Sequence, residues 1–161
     1  MGKLLVVADS PWSSILRDQR GRLCYKVCRH EVPPHDATRE LAILVALRNA
    51  HPNIIHLLGS DKYDDGALRL IMPYYEHTLL SFLKSNPQSV QEKAELLAGL
   101  ADGLAFIHHL KIMHRDINPS NVLIKKGNKP QAIICDFGVS WCVAHAGKEK
   151  RNELICQVGT G

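Results

Sequence analysis

The sequence predicts an α+β chain, and three patterns predict it. Short apolar and β-branched runs separated by turn residues open the chain and read as a meander of three antiparallel strands. A helical repeat then starts at Thr38, and a longer one opens on the capping box Ser89-Val90-Gln91-Glu92. Further short strands lie between and after these helices, so the two kinds of element are segregated rather than regularly alternating.

Leu4 to Ala8 is the first strand, broken by Asp9-Ser10-Pro11, and Ser13 to Arg17 is the second. Asp18-Gln19-Arg20-Gly21 is a turn into a third strand, Leu23-Cys24-Tyr25-Lys26-Val27. Behind Pro33-Pro34, Thr38-Arg39-Glu40 opens a helix with Leu41, Leu44, Val45 and Arg48 at helical spacing and Ile43 and Leu47 widening the apolar face. Asn49-Ala50-His51-Pro52 stops it. Ile54 to Leu58 reads as a strand, Gly59 to Gly66 as a polar turn and Leu68 to Met72 as a strand. A short helix over Thr78 to Lys84 ends near Asn86-Pro87. The capped helix runs to about His109, with Leu96, Leu97, Leu100, Leu104 and Ile107 on its apolar face. His108 and His109 lack a matching ligand cluster and read as helix C-terminal residues. Val122-Leu123-Ile124 and Ala132-Ile133-Ile134-Cys135 are the last strands, joined by a turn over Lys125 to Pro130. No internal repeat or low-complexity linker is present.

With 161 residues, 45% of them apolar, the chain has the length of one average domain and enough apolar content for a core. The net charge of +4 is scattered; the one dense run, Lys148-Glu149-Lys150-Arg151, contains an acid and reads as a solvated loop, not a nucleic-acid surface. The five cysteines (Cys24, Cys28, Cys135, Cys142, Cys156) include no CxxC pair, which fits reduced thiols in an intracellular protein, cytoplasmic or nuclear. No apolar run reaches the roughly 18 residues of a membrane span, and no membrane association is expected.

The chemistry concentrates in Ile112-Met113-His114-Arg115-Asp116-Ile117-Asn118-Pro119-Ser120-Asn121-Val122, followed by Asp136-Phe137-Gly138, 15 residues from Asn121 to Asp136. HRDxxxxN followed by DFG resembles the protein kinase family, Ser/Thr type. The resemblance implies a two-lobed kinase-like fold: one domain over 1–161, with an N-lobe over 1–72, a hinge over 73–77 and a partial C-lobe over 78–161. The Val158-Gly159-Thr160-Gly161 end resembles an activation segment just before the APE motif, so a C-terminally truncated domain is the expectation.

By the same resemblance Asp116 orients the acceptor hydroxyl and accepts its proton, Asn121 and Asp136 hold Mg2+, and the cofactors are ATP and Mg2+. Arg115 supports the loop and Thr160 tethers Asp116. Lys26 fills the VAIK lysine position, with Cys24 where alanine is usual. Taken alone it would be a surface-strand lysine. His51-Pro52-Asn53-Ile54-Ile55 resembles the HPNI segment after the kinase C-helix, which makes Glu40 the lysine's partner. Met72 resembles the gatekeeper, the Tyr74–Tyr75 backbone would meet the adenine edge, and Leu123 resembles the apolar floor beneath it. Cys135 reads as a small residue packed behind the pocket. The REL…HPNII and HTLLSFL fragments resemble the cyclin-dependent kinase branch. The implied partners are a protein substrate and a cyclin-dependent kinase or cyclin-like regulator.

Three departures stand out. The stretch Val7-Ala8-Asp9-Ser10-Pro11-Trp12-Ser13 contains none of the GxGxxG glycines, and Pro11 lacks an N–H; the hydroxyls of Ser10, Ser13 and Ser14 are candidates to replace those contacts. Asn118 stands where Ser/Thr kinases carry lysine, which removes a positive charge and predicts slower transfer. Between Trp141 and Gly159 there is no Ser, Thr or Tyr, as would fit a kinase needing no activation-segment phosphorylation, like some fungal CDK-activating kinases. A catalytically impaired pseudokinase or nucleotide-binding regulatory module, and a non-functional gene fragment, stand beside the enzyme reading. Small-molecule phosphotransferases lack the HRD–DFG–GT combination.

Overall fold

A computed structural model describes residues 3–29, 35–63, 65–85 and 88–142. Strands β1 (Leu5–Asp9), β2 (Ser13–Arg17) and β3 (Leu23–Cys28) form the expected antiparallel meander. Its β2–β3 turn is closed by Asp18, whose carboxylate accepts from the N–H groups of Arg22 (2.7 Å) and Leu23 (3.0 Å). Gly21 there has φ 63°, a left-handed value that glycine adopts without strain. Strands β4 (Gly59–Lys62) and β5 (Leu68–Pro73) complete a five-stranded sheet in the order β1-β2-β3-β5-β4.

Helix α1 (Ala37–Ala46) is capped by Asp36, whose side chain accepts from Arg39 N–H at 2.8 Å. It buries Glu40, Ile43 and Leu44, whereas Val45, expected on the apolar face, is exposed. The face is rotated because a charged residue, Glu40, occupies the inward stripe to meet Lys26.

The expected strand over Ile54 to Leu58 does not form. Ile54, Ile55 and Leu57 are buried in an irregular segment lying along the last sheet, where Ile134 N–H donates to Asn53 C=O (2.8 Å) and Ile55 N–H to Ile134 C=O (2.9 Å). Its apolar run answers to burial on both sides, not to ladder pairing. The strand comes next, at Gly59–Lys62, inside the expected turn. It is a polar edge strand fastened by the two-pronged Arg69–Asp61 contact across to β5, so it left no alternation to read.

After β6 (His77–Thr78) and α2 (Leu79–Ser85), helix α3 (Val90–His109) begins on the reciprocal Ser89–Glu92 capping box. Leu96, Gly103 and Ile107 are its buried residues, and Leu97 points outward, against expectation. The glycines decide the packing. A Cβ at Gly103 would fall 2.9 Å from Ile134 Cδ1 and 3.2 Å from Asn53 C=O, so α3 rides directly on Asn53. That asparagine donates its Nδ2 to Ala132 C=O at 2.7 Å from a buried position. Strands β7 (Ile112–Met113), β8 (Val122–Lys125), β9 (Gln131–Ile134) and β10 (Trp141–Cys142) follow, pairing as β6-β8-β9 and β10-β7. One core cluster runs from α1 and β5 through Ile54 and Ile55 to Ile107, Ile133 and Phe137, joining the upper sheet to the lower helices. Among the described residues no helix is long and apolar enough to cross a membrane.

Candidate functional site

Lys26 sits mid-strand in β3, paired to Ile15 on one side and Leu70 on the other, so its backbone cannot shift independently of the sheet. Its Nζ donates to both Glu40 carboxylate oxygens at 2.7 and 2.9 Å and to Asp136 Oδ1 at 2.7 Å. The Lys26 and Glu40 side chains are 8% and 4% exposed, so this pair is screened little by solvent. Burial works against the Lys26 ammonium, but the two carboxylates outweigh it and raise its pKa above the ordinary lysine value. Burial raises the Glu40 carboxyl above its usual range despite Lys26, and Asp136 nearby adds to the rise. For Asp136 burial again pushes upward, yet Lys26 prevails and lowers it. One cation thus serves two carboxylates, leaving uncompensated negative charge.

Asp136 has φ 65° and Arg115 φ 67°, left-handed backbones that cost a non-glycine residue about 1–3 kcal/mol each. Both are held by their neighbours. Gly138 N–H donates to Asp136 Oδ1 (3.3 Å), and Arg115 Nε donates to Val139 C=O (2.6 Å) while its guanidinium lies 5.6 Å from the Trp141 ring centroid. The Gly138 carbonyl accepts from Asp36 N–H and Arg39 Nη2, both at 3.1 Å, tying the start of α1 to this turn. A Cβ at Gly138 would fall 2.9 Å from His35 Nδ1 and 3.4 Å from Glu40 Oε2, so only glycine fits without displacement.

His114 is buried against Phe137, ring centroids 4.9 Å apart. Its Nε2 meets Cys135 C=O at 2.9 Å and its Nδ1 accepts from Asp116 N–H at 3.3 Å, a pattern that needs the neutral Nε2–H tautomer. Burial accordingly lowers its pKa. Beside it, Asn121 Nδ2 donates to Asp116 Oδ2 (2.7 Å) and to Asp116 C=O (3.0 Å), and Asn118 Nδ2 donates to Asp116 Oδ1 (3.1 Å). With its amide nitrogen committed, Asn121 has its Oδ1 left to offer a cation. Among the described residues no cluster of three His, Cys, Asp or Glu could hold a metal by itself. Asn121 and Asp136 are a hard-oxygen pair that fits Mg2+ bound jointly with phosphate oxygens and water.

Two cavities meet at Lys26, Glu40 and Asp136. One, of 350 Å3, has apolar walls from Val7, Ile15, Met72 and Leu123 and the shape of a slot between the sheets. The Tyr74 N–H donates to Arg22 C=O at 2.9 Å, which ties the segment after β5 to the start of β3, and Tyr74 and Tyr75 both line this cavity. The other, of 260 Å3, reaches from Lys26 to Asp116 under Trp12, which stacks on His35 at 5.0 Å. Burial raises Cys135 far above the ordinary thiol value, in keeping with a packing residue.

The loop over this second cavity closes on itself. Ser10 Oγ accepts from the N–H groups of Trp12 (3.3 Å) and Ser13 (3.0 Å) and donates to Ser13 C=O (2.9 Å), while Ser14 Oγ donates to Asp9 (2.6 Å). Two of the three hydroxyls considered as phosphate ligands, Ser10 and Ser14, are therefore already bonded inside the loop. The structure brings Lys26, Glu40, Met72, Tyr74, Tyr75, Asp116, Asn121, Leu123 and Asp136 to the walls of the two adjoining cavities, with Asn118 bonded to Asp116 and Arg115 to Val139. Thr160 lies outside the described residues. Asp36 and the place of Trp12 over the second cavity were not anticipated; the N-cap preference for Asp could have found Asp36, while Trp12 carries no local sequence signal.

Against known families, residues 15–159 match the protein kinase domain. The chain belongs to the protein kinase family. It is 33% identical over 130 residues to Serine/threonine-protein kinase csk1 of Schizosaccharomyces pombe, covering 80% of this chain and 40% of that protein. It is 28% identical over 142 residues to a Probable CTD kinase subunit alpha homolog of Encephalitozoon cuniculi, covering 86% and 42%. It is 28% identical over 170 residues to Serine/threonine-protein kinase CAK1 of Saccharomyces cerevisiae, covering 81% and 46%. This kinase domain spans less than half the length of these relatives. The expected membership of the Ser/Thr type, on the cyclin-dependent-kinase-like branch, is borne out.

Proposed function

We propose that this kinase domain transfers the γ-phosphoryl group of Mg-ATP to a serine or threonine hydroxyl of a protein. The observation that carries the proposal is the Lys26 ammonium joined at once to Glu40 and Asp136, with Asp116 across the same cavity. When bound, Mg-ATP supplies the transferable phosphoryl group and the cation that neutralises its charge. Lys26, held by Glu40, grips the phosphates. Asn121 Oδ1 and Asp136 hold the cation, and its charge offsets the carboxylate excess beside Lys26. Met72, Leu123 and the Tyr74–Tyr75 backbone receive the adenine in the apolar slot.

Asp116 orients the acceptor hydroxyl and takes its proton at the carboxylate. Asn121 holds one Asp116 oxygen and Asn118 the other, each by an uncharged amide. Arg115 braces the turn after Asp136 through Val139. A protein substrate and a cyclin-dependent kinase or cyclin-like regulator are the partners this branch supports. A second reading, a nucleotide-binding pseudokinase, draws on the loop N–H groups turned toward Ser10 and on Asn118.

Titration of the purified chain with Mg-ATP, alongside Lys26→Met and Asp136→Asn, tests the first step. Saturable, magnesium-dependent binding lost in both variants supports the site, and phosphorylation of Ser/Thr peptides supports the transfer. Binding without transfer favours the pseudokinase. A folded chain that binds no nucleotide sinks both readings.

A further inference from the structure

The segment that follows β5 serves two cavities. Tyr74, Tyr75 and Glu76 line the apolar slot and also a separate groove of 480 Å3. Strand β8 divides in the same way: Leu123 faces the slot, and Ile124, the next residue, faces the groove on the other side of the strand. Arg17 at the end of β2, with Lys125 and Lys126 where β8 ends, gives the groove three cations against one acid, Glu76. None of these residues lines the cavity under Trp12, so the groove stands apart from the phosphate chemistry proposed above.

Arg17 is seated for an anion that the described residues do not supply. Its guanidinium carbon lies 5.7 Å from the Tyr74 ring centroid. A Cβ at Gly21 would fall 3.4 Å from Arg17 Nη1 and 3.9 Å from Tyr74 Cδ1, so the turn glycine gives the guanidinium its room. The seat is fixed: Gly21 N–H donates to Asp18 C=O at 3.1 Å and Tyr74 N–H to Arg22 C=O at 2.9 Å. Among the described residues Arg17 makes no ion pair and no side-chain hydrogen bond, and the exposed Lys125 side chain makes none either. Lys126 does pair with Glu76, at 3.1 Å, but their side chains are 57% and 68% exposed, where such a pair contributes little and exchanges readily. A guanidinium held by its flat face keeps its N–H fork for a two-oxygen acceptor, which a carboxylate matches.

We propose that this groove docks an acidic segment of a partner protein, with one carboxylate on the Arg17 fork and a second acid at Lys125. A peptide fits the walls better than a nucleic acid, whose affinity draws on a longer row of phosphate contacts. Here Glu76 stands among the three cations, and Arg17 already covers a Tyr74 face that a base would stack on. The docked segment touches the ends of β2 and β8 together and so ties the two sheets from outside the slot. Glu76 competes with it for Lys126 and opposes docking.

Fluorescence anisotropy of a labelled oligo-glutamate peptide, titrated with the purified chain without nucleotide, measures docking directly. Oligo-glutamine and a single-stranded oligonucleotide serve as companion probes, and circular dichroism confirms that each chain is folded. Saturable binding of the glutamate peptide is expected, with none of the glutamine peptide. Arg17→Gln should raise its Kd about tenfold, the scale of a charge-assisted hydrogen bond, and Arg17→Lys about threefold, because the charge stays and only the fork is lost. Lys93→Gln, on α3 and off the groove walls, removes the same charge and should leave Kd within about twofold. Glu76→Gln frees Lys126 and should tighten the peptide by about two- to threefold, a gain that misfolding cannot imitate. Equal weakening by Arg17→Gln and Lys93→Gln would report net charge alone and overturn the proposal. So would Glu76→Gln without a gain, a folded chain that binds no glutamate peptide, or an oligonucleotide that binds more tightly than the peptide and depends on Arg17.

Discussion

Replacing Lys26 by methionine keeps the side-chain length and removes the ammonium from a site where the Glu40 side chain is 4% exposed. Removing one member of a buried pair strands the other, at a cost of about 3–5 kcal/mol. Asp136 also loses its partner, but at 35% exposure water replaces much of that contact. Against a total stability of roughly 5–15 kcal/mol for a domain, the loss is large. Its pH dependence is the diagnostic feature. Burial already raises Glu40 above its ordinary 4.5, and without Lys26 the rise is greater. A carboxyl whose folded pKa lies above its unfolded value binds more protons when folded. The stability it contributes is complete below the unfolded value and is lost as pH rises through the folded one. The variant should therefore trail the parent by about 3–5 kcal/mol at pH 8, and by about 1–3 kcal/mol at pH 5, where a protonated, poorly bonded carboxyl remains. Urea unfolding followed by circular dichroism at the two pH values measures both differences. The double variant Lys26→Met, Glu40→Leu should recover most of the deficit, because an apolar pair of similar volume replaces the charges. A deficit equal at both pH values, or larger at pH 5, would refute the assignment of Glu40 as the stranded group.

Gly138→Ala should lower stability by about 1–3 kcal/mol, since the new methyl group meets His35 and Glu40 in a turn already tied to α1; an unchanged Tm would show that the turn yields freely. His114 is held below its ordinary 6.5 by burial, so the unfolded chain takes up a proton first as pH falls. The parent should then lose about 1 kcal/mol between pH 6.5 and 5.5 that His114→Phe does not lose, and parallel stability curves for the two chains would contradict it.

Elements were legible where local chemistry announces them. The Asp18 turn and the Ser89–Glu92 capping box depend on residues within five positions of one another, the meander pairs strands that follow one another in sequence, and the sequence reading of all three holds. The faces of the helices were less legible because they depend on distant partners. Glu40 turns inward only because Lys26, 14 residues earlier, sits mid-strand in β3. Leu97 turns outward because Gly99 and Gly103 are needed against Asn53, a contact in which the smallest residues, not the most apolar, set the buried stripe. Ile54 to Leu58 misled for the related reason that apolarity reports burial and not pairing. The cleft followed motif spacing closely, whereas the closure of the loop on Ser10 could not be read, since a serine hydroxyl has no fixed partner until the backbone is set.

Two of the three departures from the family pattern, the glycine-free loop and Asn118, bear on the same place in the cleft. Under the proposed function, a loop without glycines and an asparagine at position 118 both withdraw donors from the terminal phosphate, while Lys26, Glu40, Asn121 and Asp136 keep the bonds that orienting a nucleotide would need. Had the chain simply drifted from phosphate chemistry, the costly features would be the first to relax. These are the buried Lys26–Glu40 pair and the left-handed Asp136 and Arg115 backbones, whose strain yields nothing in a merely structural turn. They persist together with a neutral His114 that fixes Asp116 from behind. Donors that stabilise a transition state contribute to rate, often by factors of about a hundred or more. Groups that orient the reactants decide whether the reaction occurs at all. The pattern retained here favours the proposed phosphotransfer over its loss and predicts a slow rate, with positioning kept and charge stabilisation reduced.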